Sequence, residues 1–212
     1  MARPRVFIAD DHKLIVEAFQ KLLESHYDVV GTAADGLSLL QAASQVKPDV
    51  IVIDLIMPLL NGLEAGRQLR SMIPTVKLVF VTMNEDPEIA REAMREGVSG
   101  YLLKSSASEE LFQAISVALK GGSYVTPRLA KEMEEAFIRN PKVGSTEKRL
   151  TSRQREVVQL LAEGKSMKEA ADVLNLTPRT IAFHKYRAME TLGLKTTASL
   201  IQCAINNHIL IG

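Results

Sequence analysis

The chain has 212 residues, of which 46% are hydrophobic and 24% are charged, and its formal net charge is +1. This length allows one large domain or two small ones, and the single cysteine, Cys203, excludes a disulfide framework and a cysteine-rich zinc site. The amino terminus carries no signal-peptide stretch and no apolar run is long enough for a membrane helix. We therefore expect a cytoplasmic protein with no membrane partner.

Charge is divided unevenly along the chain. Residues 1–146 contain 16 Lys and Arg against 19 Asp and Glu, whereas residues 147–212 contain 10 against 6. The first part therefore carries a net charge of −3 and the second part +4. A basic module of this size favours a nucleic-acid partner, although a solvated basic face is the commoner cause of such a charge.

Five short runs rich in β-branched residues alternate with helical patterns in the first half. The predicted strands are Arg5–Ala9, Asp28–Ala33, Val50–Ile53, 77–81 and Gly100–Leu103, and the predicted helices are 12–25, 37–46, 63–73, 87–96 and 108–120. Strands that are apolar on both faces and alternate with helices indicate a doubly wound α/β domain with a five-stranded parallel sheet. We assign this domain to residues 1–122 and expect its ligands at the carboxyl ends of the strands.

The segment that follows has the composition of a connector. Gly121 and Gly122 end the fifth helix, residues 128–139 predict a polar helix, and residues 140–146 have the composition of an exposed linker. We therefore assign residues 123–146 to a linker that contains one helix.

Residues 147–212 predict a small all-α domain of four helices. Their start signals are two capping boxes, Thr151 to Gln154 and Ser166 to Glu169, and two cap residues, Thr177 before Pro178 and Thr197. The second and third helices are joined by a tight turn at residues 174–176, which is the geometry of a helix-turn-helix.

Polar side chains collect at the carboxyl edge of the predicted sheet. Asp10 and Asp11 follow the first strand, Asp54 follows the third, Thr82 ends the fourth, and Lys104 follows the fifth. Packed carboxylates raise each other's pKa unless a cation intervenes, and a few oxygen ligands suit Mg²⁺. Each residue alone is more often a cap or a surface side chain. Their convergence on one edge favours a magnesium and phosphate site.

These residues carry a family resemblance across residues 5–120. The matching positions are Asp10-Asp11, Asp54-Leu55-Ile56-Met57-Pro58, Asn61-Gly62, Thr82, Tyr101 and Lys104. They resemble the flavodoxin/CheY-like receiver domain of two-component response regulators. The resemblance implies that Asp54 accepts a phosphoryl group from a histidine kinase and that Mg²⁺ binds to Asp10, Asp11, Asp54 and the backbone carbonyl of Ile56. It also implies that Lys104 and Thr82 contact the phosphoryl oxygens and that Tyr101 moves with Thr82 as a switch, although an exposed Tyr101 ring beside the sheet is the simpler alternative.

The carboxyl-terminal part resembles the LuxR-type DNA-binding domain of the NarL/FixJ family over residues 150–211. The matching positions are 150–158, 162–166, 168–171, 176–181, His184 and 192–194. The resemblance implies that helix 178–192 is the recognition helix, whose amino end contacts base edges in the major groove. The candidate DNA contacts are Arg179, Thr180, Ala182, Phe183, His184, Lys185, Tyr186 and Arg187.

Some of these candidates have more than one interpretation. Arg179, Lys185 and Arg187 are suited to phosphates, and His184 is equally suited to a buried structural hydrogen bond. Phe183 and Tyr186 depart from the family pattern. Their rings either contact thymine methyl groups or phosphates, or pack against the receiver or another subunit.

The sequence thus predicts a transcriptional regulator controlled by phosphorylation. It is not an enzyme beyond the self-catalysed phosphorylation and dephosphorylation of Asp54. The expected partners are a histidine kinase, double-stranded promoter DNA, a second copy of the chain on phosphorylation, and RNA polymerase. We also expect the unphosphorylated domains to hold together and mask the recognition helix.

Two alternatives stay open. One is a small-molecule phosphohydrolase with an aspartyl-phosphate intermediate, which would want an acidic residue where Ile56 stands. The other is a regulator whose receiver works through protein contacts without phosphorylation.

Overall fold

The computed structural model describes residues 2–139 and 150–206, and the predicted linker at residues 140–146 lies outside these ranges. The first described part contains β1 (Arg5–Ala9), α1 (Lys13–Leu23), β2 (Asp28–Ala33), α2 (Gly36–Val46), β3 (Val50–Ile53), α3 (Gly62–Met72), β4 (Lys77–Thr82), α4 (Pro87–Arg95), β5 (Gly100–Leu103), α5 (Ala107–Leu119), β6 (Tyr124–Val125) and α6 (Pro127–Arg139). The second contains α7 (Ser152–Ala162), α8 (Met167–Leu174), α9 (Pro178–Leu192) and α10 (Thr197–Asn206).

The strands form one parallel sheet in the order β2-β1-β3-β4-β5-β6. The strand order reverses between β1 and β3, and a crevice opens at the carboxyl ends of strands where such a reversal occurs. Asp10 and Asp54 directly follow these two strands. The doubly wound parallel sheet is therefore confirmed, and its topology places the predicted acidic residues at the reversal point.

Alternation along the strands fills two separate cores. In β3, Ile51 and Ile53 pack into the core beneath α2, α3 and α4, whereas Val50 and Val52 pack into the core beneath α1 and α5. Successive side chains of a strand point to opposite faces, so a strand covered on both faces is apolar at every position. This arrangement explains the unbroken apolar run that marked β3 in the sequence.

The sheet has a sixth strand that the sequence did not predict. The two-residue strand β6 pairs in parallel with Gly100 and Tyr101 of β5. A strand of two residues is too short to show a period-2 pattern, which is why composition assigned these positions to the linker. The helix that follows is also anchored, since Leu129 is fully buried in the core beneath α4. The packing of the first unit thus continues past residue 122.

We expect Leu129→Ala to lower the free energy of unfolding of the first unit by about 2–5 kcal/mol, because a buried leucine leaves a cavity. Ile138, in the same helix, is 70% exposed, so Ile138→Ala is the matched control and should cost less than about 0.5 kcal/mol. Urea unfolding followed by circular dichroism measures both. Equal, small losses would contradict the packing of α6 against the core beneath α4.

The helices of the second unit begin close to the predicted signals, but the predicted cap of the last helix is one residue off: α10 begins at Thr197, and it is Thr196 whose hydroxyl accepts from the Ser199 amide at 3.0 Å. Both capping boxes are present, with reciprocal bonds between Thr151 and Gln154 and between Ser166 and Glu169. The turn between α8 and α9 uses a left-handed residue, Asn175, and Gly193 ends α9 in the same conformation. The helix-turn-helix predicted from residues 166–192 is confirmed.

Candidate functional site

The acidic residues lie together at the carboxyl edge of the sheet. The main-chain amide of Asp54 donates to the carbonyl of Ala9 at 2.8 Å, which aligns the ends of β1 and β3. The side chains of Asp10 and Asp54 are 3% exposed, and Asp11 lies at the exposed rim. One ligand atom from each of Asp10, Asp11, Asp54 and His12 lies within 4.8 Å of the others. The convergence expected from strand order is therefore present.

Lys104 bridges the two buried carboxylates. Its Nζ lies 2.7 Å from Asp10 Oδ2 and 2.6 Å from Asp54 Oδ2. Burial opposes the charge of Lys104, but hydrogen bonds from its ammonium to Asp10 and Asp54, together with their negative charge, outweigh burial and raise its pKa. Lys104 is consequently a fixed cation at the edge of the sheet, where it can also meet an incoming phosphate.

One lysine does not neutralise this site. Burial raises the pKa of Asp54, the hydrogen bond and charge of Lys104 lower it, and the nearby Asp10 charge raises it again, with a net rise. Asp11 adds a third carboxylate at the rim. The excess negative charge and the oxygen donors fit a hard divalent cation such as Mg²⁺. The main chain of Ile56 is adjacent, since its amide donates to Asp54 Oδ1 at 3.2 Å.

His12 is a member of this cluster that the sequence analysis did not single out. Its Nδ1 lies 2.8 Å from Asp11 Oδ1 and 3.2 Å from Asp10 Oδ1, and its main-chain amide donates to Asp10 Oδ1 at 2.9 Å. The available signal was its place directly after the two aspartates, immediately before the first residue of α1. His12 thus contacts both the buried carboxylate of Asp10 and the carboxylate of Asp11 at the rim.

Thr82 and Tyr101 are both fully buried near this edge. The Thr82 hydroxyl accepts a hydrogen bond from the Asn84 amide at 3.0 Å, and the Thr82 carbonyl accepts from the Lys104 amide at 2.8 Å. The Tyr101 hydroxyl has no hydrogen-bond partner among the described residues, and burial, followed by the charges of Asp86 and Asp54, raises its pKa. The ring is therefore packed inward rather than exposed beside the sheet.

The predicted recognition helix presents a solvent-exposed face. Arg179, Phe183, Tyr186 and Arg187 are exposed, whereas Thr180, Ala182 and His184 are half-buried. The opposite face of α9 is in the core, with Ile181 and Ala188 fully buried. Four of the eight candidate DNA contacts thus lie on the exposed side of the helix.

Lys185 departs from this expectation. Its side chain is only 8% exposed, and its Nζ points toward the Thr197 hydroxyl at 3.5 Å. Position 185 lies four residues from Ile181 and three from Ala188, so it falls beside the buried stripe of the helix. In this arrangement Lys185 does not present its ammonium to a DNA phosphate, and the candidate set is reduced accordingly.

The two units contact each other through the loop after β3, the helix α3 and the helix α7, which we call the α3–α7 interface. Gln159 is 1% exposed there. Its Oε1 accepts from the main-chain amide of Asn61 at 2.8 Å, and its Nε2 donates to the carbonyl of Met57 at 3.1 Å. The Leu59 amide donates to the Glu163 carboxylate at 3.1 Å. The loop that begins at the predicted phosphoacceptor is thus bonded directly to α7.

An ion pair closes the same interface. Arg155 Nε donates to Glu64 Oε2 at 2.6 Å, and Glu64 is 1% exposed. Burial raises the pKa of Glu64, but the charge and hydrogen bond of Arg155, with hydrogen bonds from Ser152 and Gln68, bring it below its ordinary range. Gln68 also donates to the Glu156 carboxylate at 2.7 Å.

This docking differs from the masking that the sequence led us to expect. The described polar contacts of the receiver are with α7 and its C-cap, Leu59 packs against the apolar core of α7, α8 and α9, and the outward face of α9 remains exposed. The reason is chemical: the polar groups that match the loop and α3 stand on α7, at Arg155, Gln159 and Glu163. The interface fixes where the recognition helix lies relative to the receiver but does not cover it.

A parallel α/β sheet with an acidic carboxyl edge, joined to a helix-turn-helix, defines a two-component DNA-binding regulator. Comparison with known families agrees: the response regulator receiver domain matches residues 6–116, and the luxR family of bacterial regulatory proteins matches residues 148–204. The chain belongs to the response regulators of the NarL/FixJ type, with a receiver domain and a LuxR-type DNA-binding domain.

Some relatives span nearly the whole chain and others span part of it. Oxygen regulatory protein NreC from Staphylococcus aureus (strain JH9) is 33% identical over 97% of this chain and 99% of the relative. RcsB from Salmonella enterica serovar Typhimurium, solved bound to promoter P1flhDC with the phosphomimetic BeF3-, is 28% identical with a TM-score of 0.62 and covers 96% of this chain and 99% of that chain. A LuxR-family two-component response regulator from Aurantimonas sp. SI85-9A1 is 33% identical with a TM-score of 0.62, over 65% of this chain and 99% of that chain.

Among the helices within residues 2–139 and 150–206, none combines the length and the apolar character needed to cross a membrane.

Proposed function

We propose that this protein is a transcription factor in which phosphorylation of Asp54 controls promoter binding through α9. The observation that carries the proposal is the buried triad of Asp10, Asp54 and Lys104, with Lys104 Nζ within 2.7 Å of both carboxylates. A histidine kinase is the proposed phosphoryl donor. The receiver, proposed at residues 1–122 with α6 packed on it, is connected through the rest of segment 123–146 to the DNA-binding domain at residues 147–212.

The chemistry assigned to Asp54 is nucleophilic attack on phosphorus. A carboxylate oxygen of Asp54 forms the new P–O bond while the bond between phosphorus and the donor atom breaks. Asp10, Asp11, Asp54 and the Ile56 carbonyl are the proposed holders of Mg²⁺, which supplies positive charge to the equatorial phosphoryl oxygens. Lys104 lies where it can pair with these oxygens once it leaves the two carboxylates.

Thr82 and Tyr101 are the proposed switch residues. The Thr82 hydroxyl would exchange its Asn84 partner for a phosphoryl oxygen, and Tyr101 would then move into the vacated space. The buried Tyr101 hydroxyl without a partner among the described residues supports this role, because an unsatisfied buried polar group costs about 1–3 kcal/mol and favours movement. Leu129 belongs to the same apolar core as Tyr101, so the movement would also reach α6.

The α3–α7 interface is the proposed route from Asp54 to the DNA-binding domain. Met57 and Asn61, which Gln159 contacts, are three and seven residues beyond Asp54. Between them Leu59 has a left-handed φ of 67° and packs against the apolar core of α7, α8 and α9. A non-glycine residue in this conformation costs about 1–3 kcal/mol and persists only where its surroundings enforce it. Phosphorylation that shifts the loop would therefore loosen the docking.

Because the docked receiver orients α9 without covering it, promoter binding is controlled by where the two recognition helices of a dimer lie. A helix-turn-helix dimer must place two recognition helices about 34 Å apart, one helical turn of DNA. We propose that phosphorylated receivers form a homodimer and that release of the α3–α7 interface lets both helices reach their half-sites. Contact with RNA polymerase would follow at the promoter.

The function is tested by following phosphorylation and DNA binding in the same sample. The purified protein is treated with Mg²⁺ and a small phosphoryl donor, its mass is measured, and the genomic fragments that it captures are sequenced. We expect one added phosphoryl group and fragments enriched only in the phosphorylated sample. Phosphorylation with no change in captured fragments would contradict the proposed control, and capture without phosphorylation would favour a receiver that works by protein contacts alone.

A further inference from the structure

Two aromatic rings stand on the exposed face of α9. Phe183 and Tyr186 are 55% and 62% exposed, and they lie three residues apart, on the same side of the helix. Arg179 and Arg187 stand four residues before and after Phe183, so cationic groups flank the rings. Exposed apolar side chains grouped in this way mark an interaction surface. The receiver does not use it, because the receiver docks on α7.

The rings are held by neighbouring positive charges. The Arg187 guanidinium carbon lies 5.6 Å from the centre of the Phe183 ring, and Lys185 Nζ lies 4.5 Å from the centre of the Tyr186 ring. The His184 ring meets Phe183 edge-on with their centres 5.4 Å apart. Cation–π contacts at exposed sites are weakly attractive and favour these ring positions. Each ring thus lies beside a positive charge while more than half of it stays exposed.

The major groove of DNA matches this pattern. Its walls carry phosphates, which suit the arginines, and its floor carries one apolar group, the C5-methyl of thymine. The net charge of +4 for residues 147–212 favours a polyanion as the occupant of this surface. The charge and the apolar rings of this face therefore both indicate the major groove of DNA as its binding partner.

We propose that Phe183 and Tyr186 are specificity-determining residues that select thymine by contact with its C5-methyl group. The inference rests on the proposed function, namely that α9 enters the major groove. Cytosine lacks this methyl group, and the purines present polar edges at the corresponding place. Each methyl packed against a ring is expected to raise affinity about fourfold, the amount that burial of one methyl-sized group contributes.

Uracil isolates the methyl group in a direct test. Phosphorylated protein selects duplexes from a random-sequence pool, and the best duplex is then synthesised with each thymine in turn replaced by uracil. Wild-type affinity should fall about fourfold at each contacted thymine. Phe183→Ala and Tyr186→Ala should bind the thymine duplex more weakly and lose the discrimination at one position each, while Tyr186→Phe, which keeps the ring, should retain it.

Two controls separate this role from general DNA affinity. Arg179→Ala should weaken binding to thymine and uracil duplexes equally, and Ile138→Ala, which removes an exposed apolar side chain outside the domain, should change neither. The inference would be overturned if the wild type bound every uracil duplex as tightly as the thymine duplex. It would also be overturned if both aromatic variants still distinguished thymine from uracil. A protein that enriches no duplex sequence would overturn the proposed function itself, and this inference with it.

Discussion

Asp54→Asn should lower phosphoryl incorporation by more than about 100-fold, because an amide is not a nucleophile toward phosphorus and no other group takes its place. The substitution preserves the size of the side chain and an oxygen for the Ile56 amide, which lies 3.2 Å from Asp54 Oδ1. It also removes one of the two charges that Lys104 bridges. The fold should therefore persist while the chemistry is lost.

The measurement is intact mass after treatment with Mg²⁺ and a small phosphoryl donor, with DNA affinity followed in parallel. Asp35→Asn is the matched control: Asp35 follows β2 at the same edge of the sheet and caps α2 by accepting from the Ser38 amide at 2.8 Å. Asparagine caps a helix as well as aspartate does, so this variant should be phosphorylated like the wild type. Incorporation into Asp54→Asn at the wild-type rate would instead assign the phosphoryl group to another residue, Asp10 or Asp11 first.

The parts of the site that the sequence predicted are those fixed by local rules. A parallel sheet places the residues after each strand at one edge. Once the strands were recognised, the proximity of four residues followed: Asp10, Asp11, Asp54 and Lys104. Helix starts were equally accessible, because the capping boxes at Thr151 and Ser166 involve residues only three positions apart. Here the information lies within a few residues of each element.

The α3–α7 interface could not be predicted from the sequence, because it depends on residues that are far apart in the chain. Gln159 and Asn61 are 98 residues apart, and Arg155 and Glu64 are 91 apart. Neither pair belongs to a periodic pattern, and a buried glutamine or glutamate has the same local signature as an exposed one. The expectation that the receiver would mask α9 rested on the linker composition of residues 140–146, on the opposite charges of the two modules and on the behaviour of family members. None of these says which face of a helix the receiver would contact.

Glu64→Gln should weaken docking of the two domains by about 1.5–3 kcal/mol, the usual contribution of a charge-assisted hydrogen bond, or about 10- to 150-fold in the equilibrium. Glu64 is 1% exposed and accepts from Arg155, and Arg67 Nη1 is 3.4 Å from the same carboxylate. Glutamine keeps the shape but leaves Arg155 without its anion. The interaction that joins α7 to α3 at this point is therefore weaker, and the undocked state becomes more favourable.

Amide hydrogen exchange at Leu59 and Asn61 measures the docking, because their amides donate to the C-cap residue of α7, Glu163, and to Gln159 in α7. Exchange at these amides should accelerate in Glu64→Gln by the factor given above. Glu132→Gln is the control, since Glu132 pairs with Arg128 on the exposed face of α6 and should change docking by less than about 0.5 kcal/mol. Unchanged protection in Glu64→Gln would show that the ion pair does not hold the domains together.

The pH dependence follows from the lowered pKa of Glu64. The docked state favours the ionised carboxylate, so its contribution is complete above the ordinary glutamate pKa of about 4.3 and is lost as pH falls through the lowered value. The difference in docking free energy between the wild type and Glu64→Gln should therefore be constant at neutral pH and should decrease at acidic pH.

Because docking restrains the recognition helices in the proposed function, Glu64→Gln should also bind promoter DNA more tightly before phosphorylation. Part of the free energy that phosphorylation must supply to undock the domains has already been removed in this variant.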